Sequence, residues 1–149
     1  WLLGSLLFIA GIAPSLIPVS ENAQVVEAKH IEPQWLLDEQ VAFTTAAKED
    51  KPLVMDFWAE WSSACKELDH KTWSSEGPLT LAGQFVTLKM DMTERNDFND
   101  SALEKYAVVG MPTVIFFSSD GQEIERFSGF KGPEDVEEIM SRVLSRTSN

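Results

Sequence analysis

The chain has 149 residues, a formal net charge of −12 and a hydrophobic content of 44%. That suits one domain with its own core, and the acidic balance, with no basic patch interleaved with aromatics, excludes nucleic acid as an expected partner. The single cysteine, Cys65, excludes an intramolecular disulfide and a zinc centre built from thiolates. His30 and His70 share no ligand spacing with it and read as surface residues, so neither a metal nor a cofactor is expected.

Residues 1–20, WLLGSLLFIAGIAPSLIPVS, carry no charge. A helix of that length spans about 30 Å, one hydrocarbon core. Pro14 and Pro18 weaken the second half, so the helix is expected to stop near Ala13. A signal peptide would bring a basic n-region, and a core helix at a protein surface would show a polar face. We therefore read residues 1–20 as the end of a transmembrane helix or a signal anchor. Residues 21–34 are polar, weakly periodic and interrupted by Pro33, and read as a linker. The domain is expected over 35–149.

Helical and strand periods alternate within it. LLDEQVAFTTAAKED reads as a helix with Leu37, Val41 and Thr44 or Thr45 inward, stopped by Lys51-Pro52. LVMDFWA is a short apolar run broken only by Asp56, as in a central strand covered on both faces. SACKELDHKTW places Cys65, Leu68, Thr72 and Trp73 at helical spacing, and FVTLKMDM alternates like a strand. SALEKYAVVG reads as a helix that opens with a Ser101-x-x-Glu104 capping box and closes on Gly110. TVIFFSSDGQEIERFSG is a hairpin turning at Asp120-Gly121. GPEDVEEIMSRVLSR is a helix with Pro133 near its start, Arg142 and Arg146 near its end, and Val136, Ile139, Met140 and Val143 as its buried stripe. A βαβ half followed by a ββα half predicts an α/β fold, with a central mixed sheet between helices.

Three features carry chemistry. Ser62 stands where a strand hands over to a helix and suits the N-cap. Cys65 then falls in the first turn, where free amides, the helix dipole and the neighbouring Lys66 favour a thiolate. A buried Cys packing as a small hydrophobe is the competing reading. Asp56, in mid-strand, is costly to bury ionised. Its pKa should rise, its role could be that of a proton shuttle, and Lys89 on the next strand is its expected partner. Met111-Pro112-Thr113, ahead of a strand, is a place for a cis or a trans proline.

These residues resemble a known family. LVMDFWAEWSSACK is similar to the thioredoxin active-site segment, a strand with a buried Asp followed by Trp-Cys-x-x-Cys-Lys, and VVGMPTVIFF resembles the thioredoxin cis-proline loop. The fuller pattern, KPLVMDFWAEW with ACKELD and GMPTVIFFSSDGQEI, resembles the C-terminal thioredoxin-like domain of the DsbD thiol:disulfide interchange family over about residues 35–146. The resemblance implies a thioredoxin-like fold held at the inner membrane and facing the periplasm. It implies electrons received from the transmembrane electron-donor portion of that family, and passed to periplasmic thioredoxin-fold or disulfide-bearing proteins. It also implies that position 62 is the nucleophile site, that Cys65 is the resolving thiol, and that Asp56 and Lys89 tune protonation. Trp61, Ser63, Ala64, Met111 and Pro112 would meet the substrate. One departure stands out: the position of the family's first cysteine holds Ser62. A hydroxyl is not ionised at neutral pH, so serine either disarms a reductase or marks a monothiol or binding domain.

Overall fold

The computed structural model describes residues 31–148. In chain order, α1 spans Glu39–Glu49, β1 Leu53–Trp58 and α2 Ser63–Leu68, which continues into a π-helical turn, Asp69–Trp73. Then come α3 (Glu76–Ala82), β2 (Val86–Asp91), α4 (Asp97–Lys105), β3 (Thr113–Phe117), β4 (Glu123–Ser128) and α5 (Pro133–Thr147). The sheet order is β2-β1-β3-β4. β1 runs parallel to β2 and antiparallel to β3, and β3 and β4 form an antiparallel hairpin. The mixed sheet between helices expected from the sequence is present. No helix among the described residues is long and apolar enough to cross a membrane. The apolar segment 1–20 and most of the linker 21–34 lie outside the described residues.

Strand alternation divides the core in two. Leu53, Met55 and Phe57 of β1 face one side, where they pack with Leu88, Met90, Ile115 and Phe117 beneath Ala42 and Ala46 of α1 and Ala102 of α4. Val54 faces the other side with Val114 and Phe116, under Leu68, Trp73 and the α5 stripe of Val136, Ile139, Met140 and Val143. Asp56 shares this second face by the same alternation. Each large apolar side chain buried here contributes about 1.5–3 kcal/mol. A carboxyl among them is the exception to be explained.

The helices depart from the sequence reading in three places. The first is the inner side of α1. Leu37 and Val41 are 76% and 51% exposed, whereas Ala42 and Ala46 are fully buried. Thr44 is also exposed. Small side chains let this helix lie close to the sheet, and Asp38 rather than a hydrophobe sets its start by accepting from Val41 N–H at 2.8 Å. The second is α3, a helix that the sequence reading did not include. Pro78 sits in the first turn, where its missing N–H has no partner to lose. The third is the start and end of α4. Its N-cap is Asn96, whose Oδ1 accepts from Asn99 N–H at 2.8 Å, and Ser101 lies inside the helix. At the other end the helix stops at Lys105, and Ala107, not Gly110, takes the left-handed backbone (φ 52°).

The α4 correction can be checked directly. Asn96→Ala should lower stability by about 1 kcal/mol, and Ser101→Ala by less than about 0.5 kcal/mol, read from urea unfolding midpoints. The reverse order would return the cap to Ser101.

Candidate functional site

β1 ends at Trp58, and the chain crosses a short loop into α2. Ser62 is the N-cap: its backbone is extended and its Oγ accepts from Cys65 N–H at 3.2 Å. Both residues are buried, Ser62 at 7% exposure and Cys65 at 0%. Ser63 is exposed and Ala64 half-buried on the outer side of the same turn. Trp61 is 67% exposed, and its indole N–H donates to Thr93 O at 3.2 Å.

Across the sheet end, the Met111–Pro112 peptide bond is cis. Pro112 O accepts from Gly129 N–H at 2.8 Å, and Thr113 Oγ1 donates to Gly110 O at 2.7 Å. Trp61 and Met111 line one groove of about 400 Å³, together with Leu103 of α4 and Val109, which is 98% exposed.

Below this surface lies Asp56, fully buried. Trp73 Nε1 donates to its Oδ2 at 3.1 Å, while Oδ1 has no hydrogen-bond partner among the described residues. Burial pushes its pKa up to about 7, with the Asp69 charge adding to the rise, while the Lys89 charge and the Trp73 hydrogen bond oppose it. The carboxyl is therefore poised to gain or lose a proton near neutrality.

Lys89 is in register with Asp56 across β1 and β2, but its ammonium is not bonded to it. Lys89 Nζ lies 2.9 Å from Asp69 Oδ1 and 3.8 Å from Glu32 Oε2, with the ring centroids of Trp35 and Trp58 at 5.0 and 5.6 Å. The expected Asp56–Lys89 pair is thus corrected: Asp69 takes the lysine, and Lys89 acts on Asp56 through its field. Asp69 was legible in principle, because it stands four residues after Cys65 and so shares its helix face. The hydrogen bond from Trp73 to Asp56 had no signal beyond Trp73 lying on the inward stripe.

The thiol also departs from expectation. Burial raises the Cys65 pKa above its ordinary value. The charges of Asp56 and Asp69 push the same way, and these effects outweigh the hydrogen bonds with Ser62 and the Ala59 backbone that favour a thiolate. Lys66 gives it no help, since its ammonium turns outward to Glu60 Oε1 at 2.7 Å. Among the described residues no group of three or more His, Cys, Asp or Glu could hold a metal.

With this geometry established, comparison with known proteins decides the family. A family profile described as a thioredoxin-like domain matches residues 39–144. The chain belongs to the thioredoxin-like domain family. Among curated proteins it is 34% identical over 112 residues to the thiol:disulfide interchange protein DsbD of Yersinia pestis, covering 73% of this chain and 19% of that protein. It is 31% identical over 133 residues to DsbD of Yersinia enterocolitica, covering 84% of this chain and 23% of that one. The chain thus spans a small part of the relatives it matches. The DsbD C-terminal domain of Neisseria meningitidis superposes in its oxidised form with a TM-score of 0.65 at 28% identity, covering 72% of this chain and 97% of that one. Its reduced form gives 0.63 at 30% identity, covering 69% and 91%. The thioredoxin-like fold and the kinship with DsbD are therefore established.

The buried Asp56 should leave a pH signature in stability. Unfolded, its carboxyl titrates near 3.8; folded, at about 7. Between these values the native state holds the extra proton, so this group's contribution is fully present below about pH 4. It is lost as pH rises through about 7. Asp56→Asn removes the dependence. The variant should exceed the unsubstituted chain in stability by on the order of a few kcal/mol at pH 8, with the gap closing toward pH 4. A gap that does not vary with pH in urea unfolding would mean that Asp56 is not held with a raised pKa.

Proposed function

We propose that this chain is a thiol–disulfide oxidoreductase domain of the DsbD type in which the nucleophile position, 62, holds serine. One observation carries the reading: Cys65 stands at the third position of a helix capped by residue 62, within the field of the buried carboxyl of Asp56. That layout suits a resolving thiol, which must stay protonated until its moment of attack.

The chemistry follows from the positions. With sulfur at 62, the thiolate attacks a substrate disulfide. One S–S bond forms to the substrate, and the other substrate sulfur leaves as a thiolate. Cys65 then loses its proton, with Asp56 as the acceptor, and attacks the sulfur at 62. An internal disulfide forms, the second substrate thiol is released, and two electrons have passed to the substrate. Lys89 and Asp69 set the charge around Asp56 during that transfer. Trp61, Ser63, Ala64 and Met111 would contact the substrate, and Pro112 would hold the backbone edge along which its segment lies. Kinship with DsbD supports a donor in the transmembrane electron-donor portion of that family and acceptors among periplasmic thioredoxin-fold or disulfide-bearing proteins. It likewise supports a location at the inner membrane facing the periplasm.

With serine at 62 the first step cannot occur, and Cys65 is too buried to replace it. This favours a second reading, a redox-inactive binding module that uses the groove between Trp61 and Met111, whose rim residues Trp61 and Val109 stay exposed. Ser62→Cys separates the two. Restoring sulfur should produce a two-electron redox transition, followed as paired loss of free thiols by mass, and reduction of a protein disulfide in the presence of dithiothreitol. The unsubstituted chain should show neither. A folded but inert Ser62→Cys protein would sink the oxidoreductase reading and leave binding.

A further inference from the structure

Trp35 lies outside the 39–144 stretch that matches the family. Its neighbours are stitched to the outer edge of β2. Leu36 N–H donates to Thr87 O at 2.8 Å, Lys89 N–H to Leu36 O at 2.9 Å, and Thr87 Oγ1 to Gln34 O at 2.7 Å. Extended chain alternates, so Leu36 packs on the α1 side of the sheet and Trp35 on the Asp56 side.

There Trp35 touches two of the groups that act on Asp56. Its ring meets Trp73 edge to face, with centroids 5.3 Å apart at 79°, and Trp73 is the residue that donates to Asp56. Its ring centroid lies 5.0 Å from the Lys89 ammonium, which is also 2.9 Å from Asp69 Oδ1. The buried polar atoms without a hydrogen-bond partner among the described residues are Asp56 Oδ1, Trp35 Nε1 and Trp58 Nε1. All three belong to side chains grouped around Lys89.

We infer that Trp35 is a positioning residue for the Asp56 carboxyl: by clamping Lys89 against Asp69 and backing Trp73, it keeps water and the ammonium away from Asp56. The inference rests on the reading of Asp56 as the proton acceptor of the site. The charged or titratable groups that act on Asp56 are Lys89 from β2, Asp69 from the π-helical turn and Cys65 from α2, with Glu32 beside Lys89; β3 places Val114 opposite it. Removing the Trp35 ring has two effects of one sign. Water relieves the desolvation that is the main cause of the raised pKa, and a loosened ammonium spends time nearer the carboxylate.

The test is a 13C NMR titration of the Asp56 carboxyl in the full chain. In Trp35→Leu the midpoint should fall by about one pH unit from its value near 7. Trp35→Phe, which keeps a ring face, should restore most of it. If Trp35→Leu does not fold, Trp35→Met carries the same expectation, since it fills volume without a ring. An unchanged midpoint in a folded Leu or Met variant, or a Phe variant that shifts as far as Leu, overturns the inference. The titration needs no turnover, so it is independent of the Ser62→Cys experiment. An inert Ser62→Cys protein with the expected Trp35 shift removes the redox reading and keeps the positioning role, and an active one with no shift does the opposite.

Discussion

A carboxyl buried in the middle of the central strand is the constraint around which this molecule is organised. β1 is flanked on both edges and covered on both faces, so Asp56 is fully buried. An ionised carboxylate there would cost several kcal/mol if left alone. The structure answers with the field of Lys89, whose ammonium is bonded to another acid, Asp69, and with one hydrogen bond from Trp73. Full pairing with Lys89 would have held Asp56 ionised, and an empty apolar pocket would have held it neutral at every working pH. The intermediate arrangement leaves it near neutrality, the range in which a general base is most useful.

The same partition explains Cys65. A first-turn cysteine is favoured as a thiolate by the helix terminus, but the helix here delivers it under its own cap and beside two acids. Burial and like charge outweigh the hydrogen bonds with Ser62 and the Ala59 backbone that favour a thiolate. Ser62 suits this architecture on structural grounds alone. Its hydroxyl takes up the Cys65 amide, a cap worth about 1 kcal/mol relative to alanine. On the proposed function, oxygen in place of sulfur at 62 would leave the helix start intact while removing the nucleophile.

Much of this was legible in the sequence, and the losses have physical causes. The strands, the hairpin turn at Gly121 and the α5 stripe follow from periodicity and turn chemistry, which are local. The inner face of α1 was misread because helical spacing was assigned to its bulky residues. Close approach to a sheet selected Ala42 and Ala46 instead. The start of α4 was misread because a capping-box spelling at Ser101 competes with an equally good Asn96 upstream, and only the chain path decides. At the site, Asp56, Ser62 and Cys65 could be found by position along one segment. The choice of Asp69 over Asp56 as the partner of Lys89 depends on the π-helical turn and two tryptophans from distant segments. No pairwise spacing encodes that.

The site thus has two layers that answer to different demands. On the proposed function, proton handling falls to the buried groups Asp56, Asp69, Lys89 and Cys65, which are held by contacts that run from residue 32 to residue 89. Recognition on the same proposal falls to the exposed Trp61 and Val109 and the backbone around Met111, which are held by Thr93 and the cis proline loop. Only residue 62 belongs to both, since it caps the helix below and marks the point where a substrate sulfur would meet the protein. On the proposed function, a redox domain and a binding domain on this scaffold differ at residue 62, where a sulfur would form the first bond to a substrate disulfide and the serine oxygen does not.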